Sequence, residues 1–180
     1  MYHHTVKLIV TLEHRRPAES LPRQLDALFR QLAADPLARN AYEIEDMIWE
    51  IWTDHPEPLA AAMMNNAIAA VAEKRYDTAE NIFTELVAAR PDWAEAWNKR
   101  ATLYYMLGRD EDSVRDIHRT LELEPRHFGA LSGFAQICLR AGDRGSALVA
   151  FETALRINPH LNLVQEAVIE LNQSYPSYLH

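Results

Sequence analysis

The sequence of 180 residues predicts an all-α fold, a solenoid of helical hairpins, and three observations carry that prediction. Pro91, Pro125 and Pro159 recur at a spacing of 34 residues, and Gly108 and Gly142 share that spacing. Ahead of each proline runs a stripe with helical spacing: Ala79, Phe83, Leu86 and Val87; then Ser113, Ile117 and Leu121; then Ala147, Phe151, Ala154 and Leu155. After the first two prolines a second stripe follows in register, Trp97, Ala101 and Tyr104, then Leu131, Ala135 and Cys138. A fixed period of this length marks stacked hairpins, because one hairpin buries its apolar face only against its neighbours.

The elements follow in order. Residues 1–20 form an N-terminal arm, in which TVKLIVTL is left unassigned and open to an extended conformation. Residues 21–58 read as a degenerate helical hairpin stacked before the first repeat. Leu25, Leu28, Phe29 and Leu32 make its first stripe, Ile44, Met47, Ile48 and Ile51 its second, and Pro56 ends it. Residues 60–161 hold three units, 60–93, 94–127 and 128–161, with hairpins at about 60–90, 94–123 and 128–157. Asp77 with Glu80, and Asp92 with Glu95, have the spacing of an N-cap and its reciprocal acid. Residues 162–173 are a capping helix, with Leu163, Val164, Ala167, Val168 and Leu171 on one side and Asn162, Gln165, Glu166, Glu170 and Asn172 on the other. An array of hairpins needs such an end.

These units resemble the tetratricopeptide repeat (TPR), whose pattern is W-x2-L-G-x2-Y, then A-x3-F, then P. The unit 94–127 has Trp97, Ala101 and Tyr104, with Arg100 at the leucine position and Ser113 and Ile117 for A and F. The unit 128–161 has Ala135, Ala147, Phe151 and Pro159. The unit 60–93 is weaker in its first helix (Met63, Asn66, Ala67, Ala70) but has Ala79, Phe83 and Pro91. The run AEAWNKRATLYYMLGRDEDSVRDIHRTLELEPRHFGALSGF, preceded by IWEIWTDHP, is similar to a group of small TPR proteins found mainly in alphaproteobacteria, with plant relatives. The resemblance covers roughly residues 24–161. It implies a right-handed superhelix whose first helices line a concave groove, and a non-catalytic protein-binding adaptor with no specific partner. Many members of that group carry an export leader, which implies a periplasmic location; MYHHTVKLIVTLEHRR has no small-residue cleavage site and by itself implies the cytoplasm.

Composition narrows the function. A net charge of −8 argues against nucleic acid or an anionic membrane as partner, since both need clustered Lys and Arg. The single cysteine, Cys138, excludes an intramolecular disulfide and falls at a small core position. No HExxH, GxSxG or phosphate-binding glycine loop is present, so no enzyme activity and no cofactor is expected. No metal site is expected either. Nothing completes a site around His3, His4 and His14, and His118 and His127 lack partners at ligand spacing. His127 is read as closing the loop after Pro125.

The repeat register turns Asn65, then Asn98, Lys99, Thr102 and Tyr105, then Gly129, Ser132, Gly133, Gln136 and Arg140 towards the groove. Their amides suit an extended peptide backbone, and Tyr105 suits an aromatic anchor. Gly129 and Gly133 lie one turn apart on that face, bare either for a partner's backbone or for tight contact with the preceding unit's first helix. Met64 and Ile68 stand where a carboxylate clamp for chaperone tails has Lys and Asn, so such tails are not expected partners. Residues 41–58 carry six acids, no Lys or Arg, and two tryptophans. Trp49 lies off the apolar stripe, either packed on the N-terminal arm or serving as a binding anchor; Trp97 is expected to be substantially buried. The alternative function is structural self-assembly, with the groove filled by the arm or by a second copy in a homo-oligomer.

Overall fold

Three helix pairs carry the 34-residue register into space. The structure, a computed structural model, describes residues 2–34 and 40–173, and over these it holds ten α-helices and no strand. Helices α4 (Pro58–Ala72) and α5 (Tyr76–Ala89), α6 (Ala94–Met106) and α7 (Asp110–Leu123), and α8 (Phe128–Arg140) and α9 (Arg144–Ile157) form antiparallel pairs, and α10 (Asn162–Gln173) packs on α9. Before them come α1 (His3–Ile9), α2 (Gln24–Ala34) and α3 (Ala41–Thr53). None of the described helices is long and apolar enough to cross a membrane.

The turn inside each pair is one construction used three times. The N–H groups of Arg75, Arg109 and Asp143 reach back to the carbonyls of Ala70, Tyr104 and Cys138, each at 2.8 Å. This closure needs a left-handed residue just before the donor. Gly108 (φ 73°) and Gly142 (φ 77°) supply it, and in the first unit Lys74 (φ 59°) takes the same conformation against its steric preference. Small residues sit where the paired helices cross: Ala67, Ala101, Ala135, Ala79, Ser113 and Ala147 are all buried. Ser113 adds a bond from Oγ to the Ala101 carbonyl at 2.8 Å.

Arg100, at the position where the repeat pattern has leucine, forms a two-pronged pair with Asp116 of α7 at 2.7 and 2.9 Å. Its guanidinium also lies over the rings of Trp97 and Tyr104, at 5.1 and 5.5 Å from their centroids. Trp97 is partly buried against the core of the first pair, with its indole N–H bonded to the Pro91 carbonyl at 3.1 Å. The expected capping pairs are corrected. The N-caps of α5 and α6 are Arg75 and Trp93, with no side-chain cap bond, and Glu95 is turned elsewhere. Side-chain caps occur instead at His127 and Asp143, which accept from the N–H groups of Ala130 and Ser146.

The N-terminal third departs most from expectation. The arm is helical, and its buried Leu8 and Ile9 pack on α7 and α9, the second helices of their pairs. Tyr2 meets Phe134 edge-on at 5.9 Å, and Ala18 N–H bonds the Leu123 carbonyl at 2.8 Å. The α2–α3 hairpin does not stack ahead of α4 as a fourth unit. It folds back along the edge of the array and touches the two turns that join successive pairs and the turn that leads from α9 into α10. Trp93 Nε1 donates to the Trp52 carbonyl at 2.8 Å, Arg126 pairs with Asp26 at 2.6 Å, and Asn158 donates to Glu45 at 2.9 Å. The physical reason is hydrophobic: Phe29, Ile48 and Trp52 share one core with Phe128 and Leu131 of the third pair.

This division of burial sets two expected stabilities. Trp52→Ala, at a ring 2% exposed, should cost about 3–5 kcal/mol. Trp97→Ala, at a half-buried ring, should cost clearly less, about 1–2 kcal/mol. Denaturant melts that reverse this order would show the α2–α3 hairpin misplaced.

Candidate functional site

The first helices α4, α6 and α8 make one continuous face, and α3 reaches over part of it. Trp49 of α3 lies so close that a Cβ at Gly129 would come within 2.5 Å of its Cη2 atom. The indole is wedged edge-on among Trp52 (5.2 Å), His127 (5.6 Å) and Phe128 (5.4 Å), with Lys99 Nζ 5.5 Å from its centroid. Gly129 is therefore bare for this chain's own tryptophan, not for a partner's backbone or for the preceding unit's helix. Trp49 packs on α8 and not on the arm. Gly133, one turn on, differs: a Cβ there would meet only Ile117 Cδ1, at an ordinary 3.7 Å.

Beneath the tryptophans lies a buried polar cluster that sequence spacing hides. His127 and Glu95, both fully buried and 32 residues apart, meet at 2.8 Å between Nε2 and Oε2. His127 Nδ1 accepts from Ala130 N–H at 3.1 Å, which leaves Nε2 to donate to the carboxylate. Glu95 Oε2 also accepts from Asn98 at 3.1 Å, and Oε1 faces the Lys99 ammonium at 3.0 Å. Burial alone would raise the Glu95 pKa. The hydrogen bond from His127 and the Lys99 ammonium outweigh it and hold the carboxyl below its usual value. On the outer side Trp52 stacks on the imidazole, centroids 4.1 Å apart and planes 8° from parallel.

The expected groove residues separate into groups. Asn98, Thr102, Tyr105, Gly129 and Gly133 line one small hollow of about 80 Å³. Asn98 is buried and committed to Glu95, and Thr102 Oγ1 donates to the Asn98 carbonyl. Ser132 Oγ is taken by the Phe128 carbonyl at 2.8 Å. Arg140 pairs with Asp110 and lies over the Tyr105 ring at 4.2 Å, so these two stand together. Lys99 is held by Glu95, while Asn65 and Gln136 are exposed. Sequence reasoning missed the pairing of Glu95 with His127, while Trp52, which fits the apolar stripe of its helix, is buried as that stripe predicts. The one available signal was a Glu and a His on the first turns of successive units. Among the described residues no group of three or more His, Cys, Asp and Glu is placed to hold a metal. The buried Cys138 thiol is pushed up to about 12 by desolvation, which keeps it protonated and unreactive.

The two glycines should respond oppositely in thermal melts. Gly129→Ala should destabilise by about 1–3 kcal/mol, because the rigid indole must move, and adding Trp49→Ala should recover part of that loss. Gly133→Ala should be neutral or stabilising by up to about 1 kcal/mol. A separate acid titration tests the cluster. A carboxyl depressed on folding contributes stability that is complete above its unfolded pKa of about 4.3 and is lost as pH falls through the folded value. Glu95→Gln should therefore lower stability at neutral pH and flatten the loss of stability below about pH 4. An unchanged low-pH slope would contradict this assignment.

Relatives agree with this architecture. A TPR repeat-containing protein of Rhizobium etli is 38% identical over 159 residues, covering 88% of this chain and 78% of the relative. The SGT1 homolog of Oryza sativa is 27% identical over 93 residues, covering 52% of this chain and 25% of its own. Among solved structures, the first TPR of Spaghetti (RPAP3) bound to the HSP90 peptide SRMEEVD is similar at 17% identity. Its TM-score is 0.61, covering 64% of this chain and 91% of that one. MamA, also at 17% identity, has a TM-score of 0.52 over 94% of this chain and 87% of its own. These structural likenesses speak to the fold alone, and no protein-family model matches the chain. The 38% identity across most of both chains, joined to the 34-residue helical pairs, places this chain in the TPR repeat protein family.

Proposed function

We propose that the chain is a non-catalytic adaptor that holds a peptide or helix of another protein on the face made by α4, α6 and α8. TPR domains typically mediate protein–protein interaction. The observation that carries the reading here is that this face keeps open hollows and carries the exposed amides of Asn65 and Gln136. One hollow of about 640 Å³ lies against Asn65 and another of about 280 Å³ against Lys99 and Thr102, with Gln136 exposed further along. Gly129 and Asn98 leave the set of contact residues, since Trp49 and Glu95 occupy them.

Self-assembly is a second reading, favoured by one observation. Helix α4 carries no charged side chain, and its Leu59 is 67% exposed. Light scattering on the full chain and on a chain lacking residues 1–20 separates the two, an arm-dependent dimer favouring assembly.

Pull-down from the native organism tests the adaptor reading. Partner capture should survive Gly133→Ala and be lost in Gly133→Leu, which places bulk on the face while circular dichroism reports an intact fold. Equal capture by Gly133→Leu would remove the partner from the α8 part of this face.

A further inference from the structure

The two larger hollows lie one after the other along α4, and their chemistry differs. The first lies between α3 and α4, with Trp49, Glu50, Ile51 and Asp54 on one wall and Ala61 and Asn65 on the other. Glu50 and Asp54 are both exposed, and among the described residues neither is engaged in an ion pair. The basic groups nearby are spent: Lys99 is held by Glu95, and Arg90 by Glu57. The second hollow is mostly hydrocarbon, walled by Ile68, Val71, Phe83, Leu103 and Met106, with Lys99 and Thr102 completing its lining. Met106 is 51% exposed at its mouth and can fold over an inserted side chain.

We infer that the occupant of this trough is a short extended segment with a basic side chain and, three to five residues away, an apolar one. This rests on the adaptor reading above and adds the partner's chemistry. The span from Ala61 to Ala72 on α4 is about 16 Å at about 1.5 Å per helical residue, which about five residues of extended chain cover. A Lys or Arg at one end meets the exposed Glu50 and Asp54 carboxylates. A Leu, Met or Phe at the other end enters the Ile68–Met106 hollow. Asn65 stands between the two, where its amide pairs with backbone in passing. A segment with a carboxylate at that end would meet like charge at Glu50 and Asp54.

The test selects ligands for the full chain from a random-peptide library. Anisotropy then measures synthetic copies of the selected peptides against wild type, a Glu50→Gln/Asp54→Asn variant and Met106→Glu. The expected result is enrichment of Lys or Arg with an apolar residue three to five positions away. Affinity should fall roughly three- to tenfold in the Glu50→Gln/Asp54→Asn variant, the weight of two exposed ion pairs, and the wild-type affinity should drop towards that of the variant as salt rises. Binding should be lost in Met106→Glu, an exposed site chosen so that the fold survives. Neutral or acidic peptides that lose binding in Met106→Glu but ignore the change at Glu50 and Asp54 overturn the charge assignment and leave the adaptor reading standing. Peptides indifferent to all three sites, or no peptide at all, overturn both.

Discussion

The stack of Trp52 on His127 is the contact on which the N-terminal half of the architecture depends. It joins the hairpin that precedes the repeats to the junction between the second and third pairs, at a separation of 4.1 Å and 8° from parallel. The imidazole is held rigidly from three directions. Ala130 N–H fixes Nδ1, Glu95 fixes Nε2, and the Trp52 face closes the outside. A histidine so restrained is part of the scaffold. The Trp52 indole N–H is buried with no acceptor among the described residues, so burial and stacking, not a hydrogen bond, position the ring.

From that contact the rest of the brace follows. With Trp52 docked, its carbonyl meets Trp93 at the first junction, Asp26 meets Arg126 at the second, and Glu45 meets Asn158 at the third. A solenoid is held together mainly by nearest-neighbour contacts, so units far apart in the stack are coupled weakly. A hairpin bonded to three successive junctions couples them directly. It also divides the repeat face: Trp49 covers the end of α8 near Gly129, and the trough along α4 stays open.

The repeat half of the fold was legible in the sequence because its signals are local and periodic. Prolines after the second helices, glycines at the internal turns and alanines at the crossings each state one position of a 34-residue unit. Where one unit breaks the rule, physical substitution preserves the geometry, as when Lys74 takes the left-handed turn or the Arg100–Asp116 pair replaces an apolar contact. The docking of α2–α3 was not legible, although its two apolar stripes were, since an amphipathic pattern says that a face is buried and not against what. Gly129 shows the same limit: spacing marked an unusual glycine on the right face, while the ring that requires it lies 80 residues earlier. The Glu95–His127 pair joins residues with no ligand-like spacing, and only the stacking of successive units brings them together.

The folded-back hairpin is tested most directly by nuclear Overhauser contacts from the Trp49 indole in the full chain. The expected result is strong cross-peaks from the ring edge to the Gly129 Hα protons, with weaker ones to the Lys99 methylenes and the Phe128 ring. A Trp49 ring that shows no contact with Gly129, and instead contacts residues of α4 and α5 alone, would contradict it and return the hairpin to the head of the stack.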